Sequence, residues 1–350
     1  MMATYHGVML ILLGVLSGVK VYIDMEDFNE IIQPCIVCIA DIHLLAKFVN
    51  ILVNQTEIRS LFNRLEQLRQ QELEDPVYAS QITKVDNFTK TLIYHLTLYI
   101  HLYPFVSTSF NVINDYLSEA KKPSLPMPMW MPWNYQKSWS YVAAYITSAL
   151  ILLSPAMLVS TFYSLLFTIT FQMSALLKIL QAKLKVNRAY DKSIFRQHVN
   201  ILQLLKQYNE LFSGQYYLET LISSIQPCGL CYMLIKNLKS GDSRWLDSLF
   251  KFTYTLTIPV MMCGCGEEIN SQIEKLHESS YRGSWYEEQP TARKDLLILM
   301  TVTSRPFVIN YRGLITFNLV CLASDFKTLS SIQLTYNLLL RCGLMNQEGR

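Results

Sequence analysis

Long apolar runs separated by polar intervals predict an all-α polytopic membrane protein with seven transmembrane helices. Tyr5 to Val19 carries no Asp, Glu, Lys or Arg, and its hydrophobicity continues to Ile23. Phe28 to Asn54 is a second run, interrupted by Asp41 and Lys47; Thr91 to Asn114 is a third, without charge. Ser138 to Leu177 is 40 residues without a charge. As a helix it would measure roughly 60 Å, twice a bilayer core, so it crosses the membrane and projects beyond it. Tyr208 to Ile235 is the fifth run, Phe252 to Gly266 the core of the sixth, and Gly313 to Leu340 the seventh. Asp295 to Thr303 is apolar but too short to cross alone.

The polar intervals have characters of their own. Thr56 to Lys90 shows a helical leucine pattern in Leu61, Leu65 and Leu68. Leu117 to Lys137 contains KKPSLPMPMWMPWNYQ, whose four prolines rule out a helix and whose aromatics suit a lid at the membrane surface. Lys178 to Lys206 is a basic helical stretch joining the fourth run to the fifth, and Glu267 to Arg305 is a second charged helical segment. A signal peptide is disfavoured for the first run, because a basic n-region and an A-x-A site are missing.

Composition agrees with the pattern. Of 350 residues 51% are hydrophobic and 16% charged, against about 25% charged in soluble domains, and the mean hydropathy is +0.20. A net charge of +3 without a basic stripe argues against nucleic acid as a partner. All eight cysteines lie in or beside apolar runs, so the pairs Cys35/Cys38 and Cys228/Cys231 read as packing residues and not half-sites for zinc. With the N-terminus inside, 17 Lys and Arg fall in cytoplasmic segments and ten outside, which favours an internal N-terminus and an external C-terminus. The sequons at Asn54 and Asn87 then face the cytoplasm.

No H-E-x-x-H, G-x-S-x-G, P-loop or G-x-G-x-x-G occurs, so no enzyme chemistry, metal or cofactor is implied. His95 and His101, six apart, point to different helix faces and read as singly hydrogen-bonded. Glu267 and Glu268 read as a solvated helix face. Lys47, near the cytoplasmic end of its run, reads as a snorkelling side chain. Asp325, Thr328, Ile332, Thr335 and Leu339 recur at helical spacing and form a mostly polar stripe. Two readings stand for that stripe: one wall of a shared pore with an apolar gate, or a polar face packed between helices.

The last third of the chain resembles the C-terminal signature of insect odorant receptors. The matching residues are Ser284-Trp285-Tyr286, Arg293, Leu296 to Met300, Arg305-Pro306, Phe317, Phe326 and Thr335-Tyr336. The resemblance implies an odorant-gated non-selective cation channel in the plasma membrane of sensory dendrites. It implies a heterotetramer of this tuning subunit with a shared co-receptor, surrounded by membrane lipid. It also implies helices 4–6 extended into a cytoplasmic anchor and Leu339 as the gate at the mouth of the pore helix. Its division of the chain is a ligand-binding bundle at 1–266, an anchor segment at 267–305 and the pore helix with a short tail at 306–350. A small apolar volatile would bind in the outer halves of spans two to six, with Tyr103, Phe105 and Phe110 on span three, Tyr141 and Tyr145 on span four, and Tyr254 and Thr257 on span six as candidates. The chain departs from the family in starting almost directly on its first span. A gustatory-type receptor is the alternative. A G-protein-coupled receptor is disfavoured because Asn114-Asp115-Tyr116 stands where D-R-Y would be, and a transporter because inverted halves are not visible.

Overall fold

A computed structural model of the chain describes residues 2–26, 28–117, 125, 127–135, 138–186, 192–241, 244–282, 286, 290–304, 307–321, 323–324 and 327. Its elements are α1 (Met2–Ile23), α2 (Phe28–Val53), α3 (Gln55–Leu73), α4 (Pro76–Leu117), α5 (Ser138–Val186), α6 (Lys192–Ser240), α7 (Trp245–Arg282), α8 (Pro290–Thr303), β1 (Asn310–Tyr311) and β2 (Ile315–Thr316). Among the described residues four segments are long and apolar enough to cross a membrane: Thr4–Ile23, Glu30–Val53, Trp139–Lys185 and Lys192–Ser240. The third and sixth predicted spans lie within α4 and α7.

Two kinds of surface divide the bundle. Along its outer part large apolar side chains face outward: Val8, Ile11, Ile42, Tyr94 and Ile146 are all more than half exposed, which suits lipid and not water. Serines and threonines there return their hydroxyl protons to the carbonyl one turn back, as Ser148 does to Ala144 and Thr161 to Met157. No water is needed to satisfy them. The inner halves of α5, α6 and α7 instead bury their apolar stripes against one another. Met173, Leu180, Leu204, Tyr208, Ile269 and Leu276 form a continuous core there, joined by Leu61 and Leu65 of α3 and Leu296 of α8. This is the predicted extension of the central helices. The 49 residues of α5 give a rod of about 74 Å at 1.5 Å per residue.

Polar ties hold the inner layer in register. Gln181 Nε2 donates to the Gln272 carbonyl at 2.8 Å, and Lys183 pairs with Glu72 at 2.7 Å. Arg69 forks onto Glu66 and Asp86, tying α3 to α4. Its hydrogen bonds hold the Glu66 carboxyl below the usual carboxylate range. Glu268 corrects the solvated-face reading: it accepts from Ser174 and, at 3.1 Å, from Lys178, and so fastens α7 to α5.

The start of the seventh span is also corrected. Residues 310–316 form an antiparallel hairpin that pairs Asn310 with Thr316 and Tyr311 with Ile315. Arg312 (φ 50°) and Gly313 (φ 72°) adopt left-handed conformations at its tip, and Asn310 Oδ1 accepts the Gly313 N–H at 3.2 Å. Such a tip cannot begin a helix. Helical residues resume at 319–321. The hairpin docks on α6 through the stacked rings of Tyr311 and Tyr217, 4.8 Å apart, and through the Asn310 N–H on Asn209 Oδ1.

Candidate functional site

A charged cluster sits inside the apolar bundle. His43 and Lys47 are one turn apart on α2 and share a face, while Glu219 projects from α6. Lys47 Nζ lies 2.8 Å from Glu219 Oε2, and His43 Nε2 lies 3.2 Å from the same oxygen. Lys47 also donates to Tyr163 Oη at 2.7 Å. Its ammonium rests over the Phe162 and Tyr163 rings, at 5.1 and 4.6 Å from their centroids. The Lys47 side chain is 2% exposed and that of Glu219 7%. Two charges this deep persist because each neutralises the other and aromatic faces take part of the ammonium's field. Lys47 therefore does not snorkel. Glu219, in the middle of the fifth apolar run, was the unread signal for its partner: a lone carboxylate inside a span needs one.

The cluster forms the floor of a cavity of about 200 Å3. Its walls come from α2 (Ile36, Val37, Ala40), α5 (Leu152, Ala156, Val159), α6 (Ile222, Ser223, Leu230) and α7 (Tyr254, Thr255, Ile258), with Ile100 of α4 at the side. Met127 and Pro128 of the proline-rich segment also line it, in the place expected of a lid. That segment is moored where Leu16 accepts the Trp130 N–H at 3.1 Å, and Met129 and Met131 are buried with Leu13 and Leu16. Proline interrupts all four of these helices, at Pro34, Pro155, Pro227 and Pro259. Each removes one helical N–H and bends the rod locally. The carbonyls of Ser223 and Thr255, four residues before two of these prolines, lose their helical donors beside the cavity. These prolines, which the hydropathy pattern passes over, were legible as breaks within spans.

The predicted ligand residues fall in different places. Tyr254 lines the cavity. Thr257 lines a much smaller neighbouring void, of about 10 Å3, together with Tyr254, Tyr99 and Tyr163. Tyr141 and Tyr145 contact one another on α5, with ring centroids 6.2 Å apart, away from both spaces. Phe105 is 63% exposed. Tyr103 and Phe110 lie on α4, and their side chains are outside the described ones. The stripe of Asp325, Thr328, Ile332, Thr335 and Leu339 lies outside the described residues altogether. The cysteines of both C-x-x-C pairs form no disulfide. Cys38 donates to Ser17 Oγ and Cys228 to the Ser224 carbonyl. Among the described residues no group of three or more His, Cys, Asp or Glu is placed to hold a metal. His101 bonds the Thr97 carbonyl at 2.7 Å.

Comparison with known proteins fits this architecture. The family described as 7tm Odorant receptor matches residues 27–328. Odorant receptor 19a of Drosophila melanogaster is 24% identical over 206 residues, which is 55% of this chain. The matched region spans about half, 53%, of that relative's length. The solved insect olfactory receptor OR5 from Machilis hrabei in complex with eugenol superposes with a TM-score of 0.82 at 14% identity, covering 96% of this chain and 88% of that one. A second solved structure of the same receptor gives 0.75 at 17% identity, with 96% and 87% covered. These likenesses show a common seven-helix fold, and with a family match across most of its length the chain belongs to the 7tm odorant receptor family.

Proposed function

We propose that this chain is a subunit of an odorant-gated, non-selective cation channel that detects small volatile molecules in olfactory sensory neurons. The cavity between α2, α5, α6 and α7 is the observation that carries this reading. It is apolar over most of its wall and has a few convergent polar groups, the usual make-up of a small-molecule site. Its volume of about 200 Å3 is below the roughly 300–1,000 Å3 typical of sites for drug-sized ligands, which suits a small volatile. The Machilis receptor's complex with eugenol supports a ligand of that size class here.

In this reading the chain sits in the plasma membrane with its N-terminus cytoplasmic and its C-terminus outside, as the Lys and Arg bias supports. It works in a heterotetramer with a shared co-receptor. The buried inner layer at the ends of α5, α6 and α7 supports an anchor role for that region. The stripe from Asp325 to Leu339 lines the pore, with Leu339 as its apolar gate. Current recorded from cells expressing this chain with the co-receptor, set against cells expressing the co-receptor alone, tests the proposal. A volatile that evokes current only in the first cells is the expected result. A full panel of volatiles that distinguishes the two cell lines nowhere, with the complex present at the surface, overturns it.

A further inference from the structure

The same six-residue pattern, Gln-Pro-Cys-x-x-Cys, occurs twice: Gln33 to Cys38 on α2 and Gln226 to Cys231 on α6. The fold brings the two copies together. Gln226 Nε2 donates to the Ile36 carbonyl at 3.3 Å, Gln215 Nε2 to the Ala46 carbonyl at 3.1 Å and Asn50 Nδ2 to the Leu211 carbonyl at 3.2 Å. Positions on α6 fall as those on α2 rise, so the helices run antiparallel, and Pro34 and Pro227 break them at one level. A Cβ on Gly229 would meet the Ile36 side chain, so Gly229 and Ile36 fill the seam between the copies. The two cysteines of each pair, three apart, share one side of their own helix, about 100–160° round from that seam residue. Cys38 accordingly turns to α1, where its thiol donates to Ser17 Oγ at 3.3 Å. All four cysteines are partly exposed, whereas Cys263 and Cys265 of α7 are buried.

Residues three apart on a helix have Cα atoms about 5 Å apart, inside the roughly 4.4–6.8 Å of disulfides. Their Cβ atoms, about 5–6 Å apart, are about 1 Å too far. The prolines supply the slack: Pro34 and Pro227 give no N–H to the Glu30 and Ser223 carbonyls, so the turn leading into each pair lacks a helical bond and can adjust. We propose that the two motifs are oxidation sites for small uncharged hydroperoxides, each closing into an intrahelical disulfide, Cys35–Cys38 and Cys228–Cys231. With hydrogen peroxide, one thiol sulfur attacks an oxygen, the O–O bond breaks, and a sulfenic acid forms with loss of water. The second thiol attacks that sulfur, the S–S bond forms and a second water leaves. The dithiol is oxidised by two electrons and the peroxide is reduced to water. An uncharged oxidant reaches side chains beside lipid, and in the proposed topology both motifs lie in the outer half of the membrane, away from the reducing cytosol. Ile36 and Gln226 line the cavity, so each disulfide tightens a turn in one of its walls.

The test treats the purified full chain in lipid nanodiscs with hydrogen peroxide, then denatures it, alkylates the remaining thiols and maps the peptides by mass. A free Gln-Pro-Cys-Ile-Val-Cys peptide in the same buffer sets the dose. Cys35 and Cys38 should lose their label together, as should Cys228 and Cys231. Dithiothreitol should restore all four, and Cys263 and Cys265 should keep theirs throughout. In Cys35→Ser, Cys38 should enter no disulfide while Cys228–Cys231 still closes. Full labelling of all four cysteines at a dose that completely oxidises the peptide overturns the proposal. So does a bond between the motifs, such as Cys35–Cys228, or oxidation to acids that dithiothreitol does not reverse. Mapping of the wild type needs no variant to fold, and no current is recorded, so the outcome is independent of the channel reading.

Discussion

Gly266 on α7 lies directly against the backbone carbonyl of Phe317, so that a Cβ at position 266 would collide with that oxygen. Backbone cannot swing aside as a side chain can. Phe317 is itself fixed: its N–H donates to the Ile309 carbonyl at 2.9 Å, and its ring meets that of Tyr216 at 5.1 Å. Gly266→Ala should therefore push the segment after the hairpin off α7 and cost about 1–3 kcal/mol. Gly264, two residues earlier, has nothing within 4 Å of its hypothetical Cβ. Gly264→Ala should be neutral or stabilising by up to about 1 kcal/mol. Melting midpoints of the two variants in nanodiscs check this, and equal midpoints would discount the docking.

Tyr254, with Ile100 and Ile258, lines both the 200 Å3 cavity and the small void beside Thr257. Replacing it with leucine should join the two spaces and lengthen the accessible cavity. Dose–response curves for a homologous series of alkanols are then expected to peak at a longer chain in Tyr254→Leu than in the wild type. The phenol's loss should cost about 1–3 kcal/mol of stability, within reach of normal surface delivery. An unmoved optimum would separate Tyr254 from the ligand.

Orientation has a direct readout. Asn87 is exposed on α4 and begins an Asn-Phe-Thr sequon. With the N-terminus inside, it faces the cytoplasm and receives no glycan, although its exposure would permit one. Treatment with an endoglycosidase should leave the electrophoretic mobility unchanged, and a C-terminal tag should bind antibody on intact cells. A glycan on Asn87 would reverse the topology.

The features legible in the sequence share a local cause. Apolar runs fix the helices because a lipid-facing backbone has no other way to satisfy its hydrogen bonds. The Leu61 and Leu65 spacing places both on one buried face of α3. The four prolines of the lid segment forbid a helix, and its described residues have none. What escaped has non-local causes. Lys47 near a span end resembles a snorkelling residue, and only the packing of α2 on α6 brings Glu219 to it from 172 positions away. Glu268 looks solvated until α5 supplies Ser174 and Lys178. The hairpin was missed for another reason: its Asn310 to Thr316 sequence adjoins the apolar run of the seventh span, although Arg312-Gly313 between the β-branched pairs Val308-Ile309 and Ile315-Thr316 is a turn signal. The aromatic candidates were chosen by depth alone, and depth does not say which face of a helix meets the cavity.

The energetics of the buried pair Lys47 and Glu219 can be measured by a double-mutant cycle. Lys47→Met leaves the Glu219 carboxyl buried in an apolar site, with the His43 imidazole 3.2 Å away. Glu219→Gln leaves the Lys47 ammonium with the Tyr163 hydroxyl and two ring faces. Removing one member of a buried pair typically costs about 3–5 kcal/mol, whereas replacing both with neutral groups of similar volume is close to neutral. The two single variants should therefore each lower stability strongly, with Lys47→Met the worse, since aromatic faces compensate an ammonium but not a carboxylate. The double variant should recover most of the loss, giving an interaction energy of about 2 kcal/mol or more. The measurement is the unfolding midpoint of all four proteins in one nanodisc preparation. Single-variant losses that simply add in the double variant would mean that Lys47 and Glu219 are stabilised by separate surroundings and not by each other.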